Sequence, residues 1–163
     1  MKILITGGAG FIGSNNCGPC HFPEKVIHPS VTNLTDGLHV PLSGDGNNIR
    51  DWLHADDYCR GIAMALSPDR AGEISNIGGG TELTNTELTE LLLDATGTGG
   101  SYVDRVTDRL GQDLRYSVDI PKIRGELGYE PPVALGRGLT DVVQWYRDNR
   151  DWWQPIKARA ALV

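Results

Sequence analysis

The stretch Thr6-Gly7-Gly8-Ala9-Gly10-Phe11-Ile12-Gly13-Ser14-Asn15-Asn16 begins a nucleotide-binding turn that the following chain does not complete. Lys2 to Thr6 reads as a short buried strand, and Gly7, Gly10 and Gly13 fall at three-residue spacing. Glycines at such a turn let the backbone bend sharply, approach a pyrophosphate and lead into a helix whose N-terminus faces the anion. Phe11 and Ile12 open that helix, but Cys17-Gly18-Pro19 and Pro23 follow at once, and proline limits it to one or two turns. A dinucleotide site also needs a second strand ending in an acidic residue about twenty residues past the glycines. Asp36 lies at that distance, but in an Asp36-Gly37 turn signal and not at the end of a buried strand.

At 163 residues and 39% apolar content, the chain has the size and composition of one ordinary domain. A net charge of -6 without a basic run argues against nucleic-acid and membrane-surface partners, because no array of cations is present to neutralise phosphates in series. Ile3-Leu4-Ile5 is too short for a signal-peptide core or a membrane span, so a cytoplasmic protein is expected. Three cysteines, an odd number, do not form a secreted disulfide framework.

Further along, the pattern is mixed α/β. Glu24 to Thr35 has helical potential, with Pro29 and Ser30 where an amphipathic helix calls for apolar residues. Asp56 is the expected N-cap of a helix that carries Cys59, Ile62, Ala63 and Leu66 on one face and stops at Pro68. Glu73 to Ile77 reads as a strand. Thr84 and Glu87 have the spacing of a capping box ahead of Leu88, Leu91 and Leu92. A strand near Tyr102 to Val106 precedes helices at about 120–127 and 135–149, the second with Leu139, Val142, Val143 and Tyr146 as its buried stripe.

Seven stretches in order carry a family resemblance: Asn15-Asn16-x-Gly18-Pro19; His21-Phe22-Pro23-Glu24-Lys25; Gly44-Asp45-Gly46 with Ile49-Arg50-Asp51-Trp52-Leu53-His54; Asn76-Ile77-Gly78-Gly79; Asp108-Arg109-x-Gly111-x-Asp113-x-Arg115-Tyr116; Glu126-Leu127-Gly128-Tyr129; and Trp145-Tyr146-Arg147. On these the chain resembles the dTDP-glucose 4,6-dehydratases of the extended short-chain dehydrogenase/reductase superfamily. The resemblance implies an α/β fold in which an incomplete Rossmann-type start, residues 1–15, is joined to a mixed α/β nucleotide-sugar-binding part, residues 16–163. It also implies a large internal deletion, because the family's Tyr-x-x-x-Lys pair and its Asp-Glu acid/base pair do not occur in this sequence. No catalytic or metal-ligating residue is therefore assigned. The expectation is a truncated, inactive dehydratase, with a non-catalytic nucleoside-diphosphate binding module as the alternative.

By the same resemblance the cofactor is NAD, held by Gly7, Gly10, Phe11, Ile12 and Gly13. Asn16, Lys25, Arg50, Asn76 and Arg109 match the contacts to a dTDP-sugar or another nucleoside diphosphate. Arginine forks and a lysine charge suit a pyrophosphate, and asparagines can satisfy sugar and phosphate oxygens. The competing reading has Arg50 paired with Asp51 or Asp56 at the surface, and Asn76 satisfying backbone at a strand end. A homodimer and an association with a full-length relative both remain open.

Cys17-Gly18-Pro19-Cys20-His21 contains the strings of thiol oxidoreductases and of c-type haem attachment, but without the context of either. Two replacements in the dehydratase pattern explain it more simply, and its thiols are expected to titrate near the ordinary value of about 8.5. A zinc site from Cys17, Cys20, His21 and His28 has poor spacing.

Overall fold

The computed structural model describes residues 16–19, 25–66, 72–108 and 111–160. The expected Lys2 to Thr6 strand and the glycine turn lie outside them. The described elements are β1 (Asn16–Cys17), α1 (Ile27–Thr35), β2 (Val40–Ser43), β3 (Ile49–Asp51), β4 (Leu53–His54), α2 (Ala55–Ala65), β5 (Glu82–Thr84), α3 (Asn85–Thr96), β6 (Val103–Val106), β7 (Arg115–Tyr116), α4 (Pro121–Leu127), α5 (Leu135–Asp148) and α6 (Arg150–Ala160). The fold is the mixed α/β class read from the sequence.

The strands described are short and sort into three small sheets. β1 pairs parallel with β4, and β2 pairs parallel with β6. β3 lies between β5, antiparallel, and β7, parallel. In β2, Val40 and Leu42 turn inward and Pro41 outward, the period-two alternation of a half-buried strand.

The helices supply most of the core. Thr84 Oγ1 accepts from Glu87 N at 3.1 Å while Glu87 Oε2 accepts from Thr84 N at 2.7 Å, which completes the expected capping box of α3. The predicted stripe of α5 is buried as read, and it meets α1 and α3 through Ile27, Val31, Leu88 and Leu92. Burying each such aliphatic side chain contributes about 1.5–3 kcal/mol. Gly138 lets α5 approach the β1–β4 ladder, since a Cβ there would lie 3.0 Å from His54 Cδ2 and 3.5 Å from Cys17 Sγ. Ile120, Ile123 and Tyr129 form a second, smaller cluster with Ile77 and Met64 against it.

Several sequence expectations change. Residues 73–77 are irregular, not a strand; Lys122 Nζ donates to Ile74 O at 2.8 Å and Asn76 Nδ2 to Asp119 O at 3.1 Å. The cap of α2 is His54, not Asp56, and its Nδ1 accepts from Asp56 N at 3.3 Å. The buried side of α2 is Asp57 and Gly61, whereas Cys59, Ala63 and Leu66 are exposed. The reason is close packing: a Cβ on Gly61 would come within 2.7 Å of Ile77 and 3.1 Å of Tyr129. α1 tolerates its polar core positions because each is bonded, Ser30 Oγ donating to Val26 O at 2.6 Å and His28 Nδ1 meeting the Tyr146 hydroxyl at 3.0 Å.

α6 has no counterpart among the helices read from the sequence, and Pro155 lies inside it. Tertiary contacts outweigh that cost. Trp153 is fully buried with its Nε1 donating to Tyr146 O at 2.7 Å. Asp36, at the end of α1, takes Lys157 Nζ at 2.7 Å and Arg150 Nη2 at 3.3 Å. Among the described residues no helix is long and apolar enough to cross a membrane.

Candidate nucleotide site

Arg50 occupies the middle of the central strand β3, between Leu83 of β5 and Tyr116 of β7. It is 4% exposed, not a surface residue. Its Nη1 donates to Ile49 O at 2.7 Å and its Nη2 to Asp113 O at 2.9 Å. Burial pulls the guanidinium below its ordinary pKa, and the nearby charges of Asp113 and Asp108 pull in the opposite direction.

The surrounding backbone is fixed by turn chemistry. Gly44 and Gly46 adopt left-handed φ values of 59° and 75°, conformations that glycine takes without strain. Asp45 Oδ1 accepts from Asn47 N at 2.9 Å, and these bonds hold the Asp45 carboxyl below the usual range. Asn48 Nδ2 donates to Asp113 O at 3.3 Å, and Arg105 Nη1 donates to Gly44 O at 3.1 Å. The 44–50 connection and Asp113 are thereby tied together beside Arg50.

The remaining predicted residues are distributed as follows. Arg109 lies outside the described residues, as do Gly7, Gly10, Phe11, Ile12 and Gly13. Its neighbour Asp108 is described, and a Cβ on Gly44 would touch the Asp108 side chain at 3.1 Å, with the Asp108 charge acting on Arg50. Asn16 is in β1, whose partner residue Leu53 stands three positions beyond Arg50. Lys25 precedes α1 and is partly exposed, its carbonyl accepting from His28 N at 3.0 Å. Asn76 donates its Nδ2 to Asp119 O at 3.1 Å, and further along the half-buried Asp51 accepts from Gly79 N and Thr81 N, each at 3.1 Å. Burial raises the Asp51 pKa and those two N–H groups oppose the rise.

Asp113, Asp108 and Asn48 were not singled out from sequence. The signal was present, since both aspartates belong to the quoted Asp108-Arg109-x-Gly111-x-Asp113 stretch. A small cavity of about 110 Å³ beside Trp52, His54, Gly79, Thr81, Val133 and Leu135 contains none of the predicted residues.

Asp57, fully buried, ties α2 to the start of α5 by accepting from Val133 N at 3.1 Å, with Arg60 Nη1 at 3.7 Å from its other oxygen. Its role is structural. Cys17 corrects the expectation of an ordinary thiol: burial, with Asp57 nearby, pushes it up to about 12. Cys20 and His21 lie outside the described residues, so neither the complete Cys-Gly-Pro-Cys string nor the zinc set is described.

The family model described as GDP-mannose 4,6 dehydratase matches residues 14–142. The chain belongs to that family. Within it, the chain is 55% identical over 148 residues to a dTDP-glucose 4,6-dehydratase of Streptomyces antibioticus, covering 91% of this chain and 44% of the relative. It is 59% identical over 140 residues to one from an Actinoplanes species, covering 86% and 44%. Among solved structures it resembles the dTDP-glucose 4,6-dehydratase DesIV of Streptomyces venezuelae, crystallised with NAD and TYD bound, at 58% identity and a TM-score of 0.83 over 88% of this chain and 44% of that one. The enzyme of Bacillus anthracis in complex with NAD is 43% identical with a TM-score of 0.82, covering 87% and 45%. The chain therefore spans less than half the length of the dehydratases it matches.

Proposed function

We propose that this member of the 4,6-dehydratase family is a truncated dTDP-glucose 4,6-dehydratase that retains recognition of the nucleoside diphosphate and lacks the dehydration chemistry. The observation that carries this reading is the buried Arg50 guanidinium, bonded to the carbonyl of Asp113, in a part of the fold shared with DesIV at 58% identity.

In this reading Arg50 and Arg109 take the diphosphate as charge-assisted donors, with Lys25, Asn16 and Asn76 adding contacts to phosphate and sugar oxygens. Arg50 has a second duty, because its contact with the Asp113 carbonyl anchors that residue to β3. When bound, NAD would supply the hydride acceptor of the family's reaction, at Gly7, Gly10, Phe11, Ile12 and Gly13. Those five residues lie outside the described ones. With the Tyr-x-x-x-Lys and Asp-Glu pairs missing from the sequence, what this chain contributes is binding and not proton or hydride transfer.

Calorimetric titration of dTDP and of thymidine tests the proposal. Losing a charged hydrogen bond costs about 1.5–3 kcal/mol, so Arg109→Ala is expected to weaken dTDP about tenfold or more and to leave thymidine nearly unaltered. Equal losses for both ligands would make Arg109 a support of the fold, and no dTDP binding by the wild-type chain would remove the proposal.

A further inference from the structure

Trp52 follows β3 into the core, 4% exposed, and its backbone N–H donates to Thr81 O at 2.9 Å. Its indole Nε1–H is buried and meets no acceptor. An indole N–H can only donate, and leaving such a group unpaired in the interior carries its full desolvation cost. Trp52 stands on the wall of the cavity of about 110 Å³ that also borders His54, Thr81, Pro131 and Leu135. A single water requires roughly 10–15 Å³, so this space admits a group of several heavy atoms. Its other polar walls donate as well. His54 Nδ1 already accepts from Asp56 N at 3.3 Å, so the neutral ring carries its proton on Nε2. α5 starts at Leu135 with Ala134 as its N-cap, which has no side-chain acceptor, and no acidic residue follows in the first turn. The first N–H groups of that helix therefore lack both a carbonyl from a preceding turn and a capping side chain.

We infer that this cavity is a binding site for a small neutral carbonyl compound, an amide or a ketone, whose oxygen accepts from Trp52 Nε1–H at the N-terminal end of α5. Pro131 and Val133 supply apolar surface for the rest of such a ligand. The wall also decides the ligand's charge. Asp51 binds Gly79 N and Thr81 N, and Asp57 binds Val133 N, so each carboxylate lies directly behind residues that line the cavity. The N-terminal end of a helix is equivalent to about half a positive charge. Two carboxylates outweigh it, which favours a neutral oxygen over an anion. The site is independent of diphosphate binding, since Arg50 is not on its wall.

Proton–nitrogen correlation spectra of the isotopically labelled chain, titrated with acetamide, test it. The indole signal lost in Trp52→Phe identifies the Trp52 resonance, and sequential assignment does so if that variant does not fold. The Trp52 Nε1–H signal is expected to move saturably with a millimolar midpoint, the range open to a ligand of so few atoms, while that of the more exposed Trp152 stays in place. Acetate at neutral pH should bind about threefold more weakly or worse. Val133→Phe, which adds volume at the cavity wall, should raise the acetamide midpoint about tenfold or more. Circular dichroism checks that it folds, and Leu135→Phe takes its place if it does not. A Trp52 signal that never saturates, or that moves no further than that of Trp152, overturns the inference by leaving the cavity to water. Acetate binding as tightly as acetamide overturns it too, as does an acetamide response indifferent to filling the cavity.

Discussion

His28 and Tyr146, 118 positions apart, meet in the core with Nδ1 3.0 Å from the hydroxyl and their rings edge-on at 5.2 Å. The contact fixes the rotation of α1 against α5. Tyr146→Phe keeps the ring and removes the hydroxyl from a buried polar partner. It is expected to cost about 1–3 kcal/mol in urea unfolding. An unchanged midpoint would mean that the ring alone sets the packing.

Cys17 should resist alkylation. With its thiol pushed up to about 12, almost no thiolate exists at neutral pH, and the side chain is sealed from solvent. Peptide mass spectrometry after iodoacetamide treatment of the native chain should find the exposed Cys59 labelled and Cys17 unlabelled. Labelling of Cys17 at a rate equal to that of Cys59 would show that β1 opens readily.

Alkaline stability should depend on Tyr129. Burial, with Asp57 and Asp51 nearby, raises its hydroxyl from 10.0 to about 12. The folded value lies above the unfolded one, so the stabilisation is complete below pH 10.0 and is lost as pH rises through about 12. Tyr129→Phe has no such titration. The stability difference between wild type and variant should therefore shift against the wild type by roughly 2–3 kcal/mol across that window. Parallel curves would contradict the buried, proton-retaining hydroxyl.

Turnover should be absent. Incubated with dTDP-glucose and NAD, the purified chain is expected to form no 4-keto-6-deoxy product, because the sequence has no Tyr-x-x-x-Lys pair. Product above a heat-killed control would show that the chain recruits the missing groups from elsewhere.

The sequence was most legible where one element's own chemistry determines its structure. Thr84 and Glu87 cap each other across three residues, and Leu139, Val142, Val143 and Tyr146 repeat over about two turns, so both features could be read locally. The strands between Val40 and His54 are two to four residues long, too short for any periodicity to register. On α2 the apolar period pointed to the uncovered face, while the packed side was chosen by Gly61, whose lack of a side chain lets the helix settle on Tyr129 and Ile77. The site followed the same division. Arg50 stood out by its motif, but its partner, the carbonyl of Asp113, is 63 positions away and carries no side-chain signal.

The strap that α6 lays across α1 also bears on the order in which the chain assembles. Thr35 receives Arg150 across 115 positions and Asp36 receives Lys157 across 121. During synthesis α1 leaves the ribosome with neither cation yet made, and closing so long a loop costs entropy that only a nearly finished core repays. Weakening the strap, as by Asp36→Ala, should therefore hasten unfolding far more than it slows folding. The last helix behaves as a clasp, shut only once the rest of the molecule is in place.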